Sequence, residues 1–185
     1  MSVRSIIVLL IVSLPLFNFC SAQDTNPESL AKEYFKVMAE DGMTSVARFM
    51  HPEALESFKS MVLPVFEFEA ESGDRQLMDL TFGTTMHIAK LKNTDSESFM
   101  NGFMNIIAAQ LGSTKLSFDK LEILGTISEG SDRHVLTRMT IGVGELSLTQ
   151  FEVLSFKPYE GSWRLQLNGK MKGIANTLRS SITKE

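Results

Sequence analysis

The chain has 185 residues, with 22 acidic against 18 basic side chains and a formal net charge of −4. No basic run stands out, so the charge gives no electrostatic support to nucleic-acid binding. Cys20 is the single cysteine, which excludes a disulfide within the chain and a cluster of thiolate metal ligands.

The first 22 residues have the three-part layout of a secretory signal peptide. Arg4 precedes an apolar run from Ile6 to Phe17, and the short segment up to Ala22 ends in small residues. An apolar helix of that length would span only about 18 Å, well short of the roughly 30 Å hydrocarbon layer. We therefore expect residues 1–22 to be a cleaved signal peptide, with an uncleaved membrane anchor as the alternative.

Cys20 lies just before the expected cleavage site. Lipoprotein signals place small residues ahead of the lipidated cysteine, whereas the sequence Phe-Asn-Phe occupies residues 17–19. Lipidation is therefore disfavoured, and cleavage after Ala22 would remove the cysteine. Residues 23–185 are then expected to be one exported domain, periplasmic or extracellular, with no membrane span.

Helical periodicity fills the first half of this domain, from Asn26 to about residue 111. Asn26, followed by a proline, is typical of a helix start, and Gly42 is typical of a helix end. A second helix is predicted to begin at Pro52, and Pro64 should kink or restart it.

Two further helices are predicted before the pattern changes. The shorter, which could be a turn or a helix, runs from Asp74 to Phe82 and is closed by Gly83. The clearer one begins at a capping box in which Thr94 and Glu97 satisfy each other's backbone donors, and it ends at Gly112. Its apolar stripe consists of Phe99, Phe103, Ile106, Ile107 and Leu111.

After Gly112 the apolar residues recur with a period of two, which indicates β-strands. Short turns separate the strands, so neighbours should pair antiparallel. The alternation slips in the first and third strands, which predicts bulges that curve the sheet. The four predicted strands cover residues 116–127, 133–143, 145–157 and 162–168, and a final amphipathic helix carries Met171, Ile174, Leu178 and Ile182.

The last strand carries the sequence Gly161-Ser162-Trp163-Arg164-Leu165. This stretch resembles the G-x-W-[RK]-hydrophobic strand of the nuclear-transport-factor-2-like superfamily, and residues 27–168 resemble it in outline. The resemblance implies an α+β domain in which N-terminal helices pack on a curved four-stranded antiparallel sheet, with an open end that is often a pocket. The longer helical section and the C-terminal helix depart from that pattern. Because the superfamily holds isomerases, dehydratases and non-enzymatic binding domains, the fold does not decide the function.

Residues that could do chemistry are few and scattered. His51, His87 and His134 lie far apart, and no zinc, phosphate-loop or nucleophile motif occurs. We therefore expect no metal, no cofactor and no catalytic set. Isomerases of the superfamily resemble one another in an acidic base and a tyrosine inside the cone. Here only Tyr34 is placed to act as that tyrosine. The catalytic residues of the superfamily's isomerases are therefore not assigned to this chain.

Methionine is unusually frequent in the helical half. Eight of the ten methionines after Met1 lie between Met38 and Met104. Thioethers can bind Cu(I), but methionine more often fills an irregular core or lines an adaptable apolar pocket. We expect such a pocket between the sheet and the helix of residues 94–111. Its predicted apolar residues are Phe99, Met100, Phe103 and Met104, and its predicted polar residues are Tyr34, His51 and Arg138.

The sequence thus predicts an exported, non-catalytic binding or accessory domain whose apolar pocket takes a small apolar molecule or an envelope protein. One alternative is a small lyase or isomerase that uses a histidine, a tyrosine and a carboxylate in the cone. A second alternative is a domain that only binds other proteins.

Overall fold

The computed structural model describes residues 26–111 and 116–182, so the expected signal peptide, Cys20 and the helix end at Gly112 lie outside the described residues. The fold is α+β, with helices on one face of a curved, unclosed antiparallel sheet and a helix at the C-terminal end, and this part of the prediction is confirmed. The helices are α1 Pro27–Glu40, α2 Pro52–Ser72, α3 Gln76–Phe82, α4 Ile88–Asn93, α5 Ser96–Leu111 and α6 Gly169–Ser181. Two short 3-10 turns, Met43–Ser45 and Ala47–Phe49, join α1 to α2. The strands are β1 Leu116–Glu129, β2 Asp132–Val143, β3 Leu146–Tyr159 and β4 Ser162–Leu165.

The start of α1 follows the sequence prediction. The Asn26 side chain accepts a hydrogen bond from the backbone N–H of Ser29 at 2.7 Å, which satisfies one of the free donors of the first turn. Gly42 follows the helix with a φ of 84°, a conformation that glycine adopts without strain.

The start of α5 lies one residue later than predicted. Asp95, and not Thr94, is the cap, because its carboxylate accepts from the Ser98 backbone N–H at 2.8 Å. Thr94 belongs instead to the end of α4, a helix the sequence did not predict, where its hydroxyl donates to the carbonyl of Lys90 at 3.1 Å.

Helix α2 passes through Pro64 and continues to Ser72, so the predicted restart does not occur. Buried side chains lie on both sides of the proline, including Val62 and Phe66, both fully buried. This packing outweighs the backbone hydrogen bond that a proline removes from a helix interior.

The sheet has the order β1-β2-β3-β4 with antiparallel neighbours throughout. The pairing of β1 with β2 shifts register between Phe118 and Lys120 and between Ile123 and Gly125, which confirms the predicted irregularity of the first strand. β3 pairs with β2 without a shift, so the bulge predicted for the third strand is wrong. The leucines that made the alternation slip, Leu146 and Leu148, are exposed at a hairpin end.

The sheet has two different faces. The inner face, which the helices cover, carries the buried side chains of Val135, Thr137 and Met139 on β2. The outer face carries the alternate residues of the same strand, such as Leu136 and Arg138. No described helix is both long and apolar enough to cross a membrane.

Two apolar clusters make the core. The larger joins α2, α3 and α5 around Phe58, Phe66 and Phe99. The smaller seals α1 onto the inner face of the sheet through residues that include Leu30, Val37, Val135, Phe156 and Leu165.

Trp163 shares the inner face with Leu165, but it is only partly buried. It lies near the sheet's end, where the guanidinium of Arg133 covers its ring at 5.4 Å from the centroid.

Candidate functional site

A cavity of about 260 Å³ lies between the inner face of the sheet and helices α1, α5 and α6. Helix α5 contributes Met100, Met104 and Ile107, while β2 contributes Met139 and Ile141 from the opposite side. The cavity occupies the space between α5 and the sheet in which the sequence predicted a pocket.

Methionine dominates the wall of the cavity. Seven lining residues are methionines from six different segments: Met38, Met43, Met50, Met100, Met104, Met139 and Met171. The thioether chain is unbranched and polarizable, so such a wall adapts its shape to an apolar guest.

One end of the cavity is polar and fixes α6 to the sheet. The Lys170 ammonium donates to a carboxylate oxygen of Glu152 at 2.5 Å and to the Gln150 side chain at 3.3 Å. The Asn168 amide lies 3.4 Å from the other Glu152 oxygen, and its own carbonyl oxygen caps α6 by accepting from the Met171 N–H at 2.9 Å. Glu152 is therefore held on two sides, and its side chain is only 10% exposed.

Tyr34 reaches the cavity from α1. Its ring packs edge-on against Phe49, with ring centroids 5.8 Å apart. Burial of the phenol, and secondarily the nearby negative charge of Glu152, raises the pKa of Tyr34 to about 12. The structure shows no hydrogen bond from this hydroxyl to any described residue, so at neutral pH the cavity contains an uncharged hydroxyl that can donate to a guest.

The predicted site residues separate into two groups. Tyr34, Met100 and Met104 line the cavity. Phe99 and Phe103 lie on the same helix but pack into the core between α2 and α5, where their exposed fractions are 0% and 3%.

His51 lies outside the cavity and has a structural role. Its Nδ1 accepts from the Glu53 backbone N–H at 3.2 Å, which caps α2, and the backbone N–H of His51 donates to the carbonyl of Leu165 at 2.7 Å. The ring is buried against the edge of Tyr159 at a centroid distance of 5.3 Å.

Arg138 lies on the outer face of the sheet and cannot reach the cavity mouth. From Val135 to Met139 the residues of β2 alternate between buried and partly exposed, so Arg138 is out of phase with the buried Thr137 and Met139. Its guanidinium donates to the Glu122 carboxylate at 2.9 Å and stacks over Phe151, 5.3 Å from the ring centroid.

Sequence reasoning missed part of the wall and the whole polar end. Met139 shares the phase of Val135, and Met171 belongs to the apolar stripe of α6, so both could have been named from periodicity alone. The polar cluster of Glu152 and Lys170 had no such signal, because it depends on how α6 packs against β3 and not on a repeat within either element.

The arrangement does not bring a histidine together with the tyrosine and the carboxylate. Tyr34 and Glu152 share the cavity wall, whereas His51 caps α2 elsewhere. Within the parts of the chain that the structure describes, no group of three or more His, Cys, Asp and Glu residues could hold a metal ion. The geometry is that of a small, mostly apolar binding cavity with polar side chains at one end.

Comparisons with protein-family models, with curated proteins and with solved structures found no match.

Proposed function

We propose that the chain is an exported, non-catalytic binding or accessory domain that holds a small apolar molecule in the cavity beneath α5. The observation that carries this proposal is the wall of seven methionines, with Tyr34 and the Glu152–Lys170 pair as its polar groups. Small-molecule sites are typically apolar concavities in which a few polar groups set the orientation of the ligand.

The cavity volume limits the size of the ligand. An apolar cavity of about 150 Å³ is large enough to bind benzene. By proportion, 260 Å³ suits a ligand of about ten non-hydrogen atoms. The best small ligands gain at most about 1.5 kcal/mol per atom, and micromolar binding needs about 8 kcal/mol. A compact apolar molecule of this size can therefore bind with a micromolar dissociation constant.

Export is part of the same proposal. It is supported by Arg4, the apolar run of residues 6–17 and the small residues before Gln23. We expect protein isolated from its own host to begin at Gln23, which intact-mass measurement would show. A retained leader, or the added mass of a diacylglycerol on Cys20, would contradict this expectation.

We also propose that the chain belongs to the nuclear-transport-factor-2-like superfamily. This proposal is supported by the curved four-stranded sheet with helices on one face.

Filling the cavity tests the binding proposal. Ile107 lines the cavity from α5 and is partly buried, so Ile107→Trp places an indole in the space that a ligand would occupy. We expect the affinity for an apolar fluorescent dye of matching size, 1-aminonaphthalene, to fall at least tenfold. Titration of the dye with the wild-type and variant proteins, followed by its emission, measures the change.

Ala109→Trp is the matched control, because Ala109 is exposed on the same helix and does not line the cavity. It adds the same indole to α5 and should leave dye binding unchanged. Equal loss in both variants would show that the dye does not report the cavity. Wild-type binding that Ile107→Trp leaves intact would place the site elsewhere and favour a domain that only binds proteins.

A further inference from the structure

The outer face of the sheet carries an apolar patch that no described helix covers. Strands β1, β2 and β3 each contribute to it. In the register of the sheet, Gly125 lies opposite Leu136, which lies opposite Val153, and Arg138 lies opposite Phe151. We define the outer patch as Leu124, Ile127, Leu136, Phe151 and Val153. Phe151 and Ile127 are each 64% exposed and Val153 is 51% exposed.

Polar side chains around the outer patch are largely paired with one another. Arg138 is held by Glu122 at 2.9 Å while it stacks on Phe151. His134 lies 2.9 Å from the Ser155 hydroxyl and 3.0 Å from the Glu129 carboxylate. Because these groups already have partners on the same face, covering the face leaves few of them unsatisfied.

The charge of this face is nearly balanced. Its basic side chains, Lys120, Arg138 and Lys157, largely offset its acidic ones, Asp119, Glu122, Glu129 and Asp132, whereas the whole chain has a net charge of −4. A strongly acidic or basic partner would find no complementary field here. A second copy of the same face, which carries charges of both signs, meets little net repulsion.

The size of the face agrees with a dimer. β1, β2 and β3 have 14, 12 and 14 residues. At about 3.3 Å per residue and about 4.8 Å between strands they form a face about 40 Å by 14 Å, or about 560 Å² before side-chain relief is added. Standard interfaces bury about 800 Å² per partner, and curvature concentrates the contact on the middle of the sheet. These dimensions correspond to an interface at the small end of the range.

We propose that two copies of this chain pack outer face against outer face as a two-fold symmetric dimer with a micromolar dissociation constant. The outer patch is the centre of the contact, with Phe151 as its largest side chain. This proposal is independent of the cavity, which lies on the other side of the sheet.

A substitution at Gly125 tests the proposed dimer. Gly125 lies on the outer face, and in the sequence of β1 it follows Leu124 and precedes Thr126. A Cβ added there meets no atom within 4 Å, and its φ is not positive, so a side chain can be added without strain in the monomer. We expect wild-type protein to shift from monomer to dimer over the micromolar range in sedimentation velocity. Gly125→Arg should weaken the dimer at least tenfold, with an unchanged thermal unfolding midpoint at a concentration where both proteins are monomeric.

Gly173→Arg is the control. Gly173 on α6 also has open space around its Cβ position but lies away from the outer face, so this variant should dimerise as the wild type does. Ile107→Trp should also dimerise normally, which separates this proposal from the binding function. A wild-type protein that stays monomeric to about 100 μM, roughly a hundredfold above a micromolar dissociation constant, would overturn the proposal. So would a dimer that survives both Gly125→Arg and Phe151→Glu.

Discussion

Phe58→Ala should lower the free energy of unfolding by about 3–5 kcal/mol, the usual loss when a large aromatic side chain is deleted from a core. Phe58 is fully buried, and its ring packs edge-on against Phe103 and Phe99 at centroid distances of 5.0 and 6.4 Å. These contacts join α2 to α5, so the deletion leaves a void between the two longest helices. Urea unfolding followed by circular dichroism measures the loss.

Phe68→Ala is the matched control, since Phe68 is on the same helix and is 38% exposed. It should cost less than about 1.5 kcal/mol, because much of its surface is in contact with water in the folded state. Similar losses for the two variants would mean that the arrangement of α2 against α5 differs from the one described.

Raising the pH from 10 to 12 should remove about 2 kcal/mol of stability through Tyr34 alone. The folded protein holds the pKa of this phenol at about 12, against an ordinary value of 10.0, chiefly because the phenol is buried and then because Glu152 is negative. The folded state therefore retains the proton that the unfolded state has lost. The stabilisation is complete below pH 10 and is lost as the pH rises towards 12, at about 1.4 kcal/mol per unit.

Tyr34→Phe removes this titration and serves as the comparison. We expect its unfolding free energy to decline less steeply than that of the wild type between pH 10 and 12. Ultraviolet titration of the folded wild type should also show a phenol with a pKa of about 12 that the variant lacks. Parallel stability curves for the two proteins would show that Tyr34 is not buried in the folded state.

Local patterns predicted the elements well where one strong signal decided the structure. The Asn26 cap, the glycine after α3 and the period-two alternation of β2 each correspond to the observed element. Errors arose where neighbouring elements competed for one residue. Thr94 fits the capping-box pattern of α5, but its hydroxyl donates to the Lys90 carbonyl of α4. The side chain that caps α5 is therefore that of Asp95.

The position of the cavity was predictable from the sequence, but only some of its lining residues were. Helical spacing places Met100 and Met104 on one side of α5, and the sheet had to lie opposite them. Phe99 and Phe103 lie one residue away in sequence, and whether they face the cavity or α2 depends on how α5 is rotated against its neighbours. The prediction of His51 and Arg138 as polar residues of the pocket rested on residue type. Their places are set by the cap of α2 and by the phase of β2.

The two bulges of β1 have a consequence beyond the shape of the sheet. Among the described strands, β1 pairs only with β2, so its other edge offers backbone donors and acceptors over 14 residues. A regular edge of this length is a template on which further chains can add and grow into fibrils. The extra residues near Asp119 and Leu124 interrupt the spacing of those groups at two places, so an incoming straight strand can match only short stretches of the edge. The bulges therefore protect the protein against aggregation through its longest open edge.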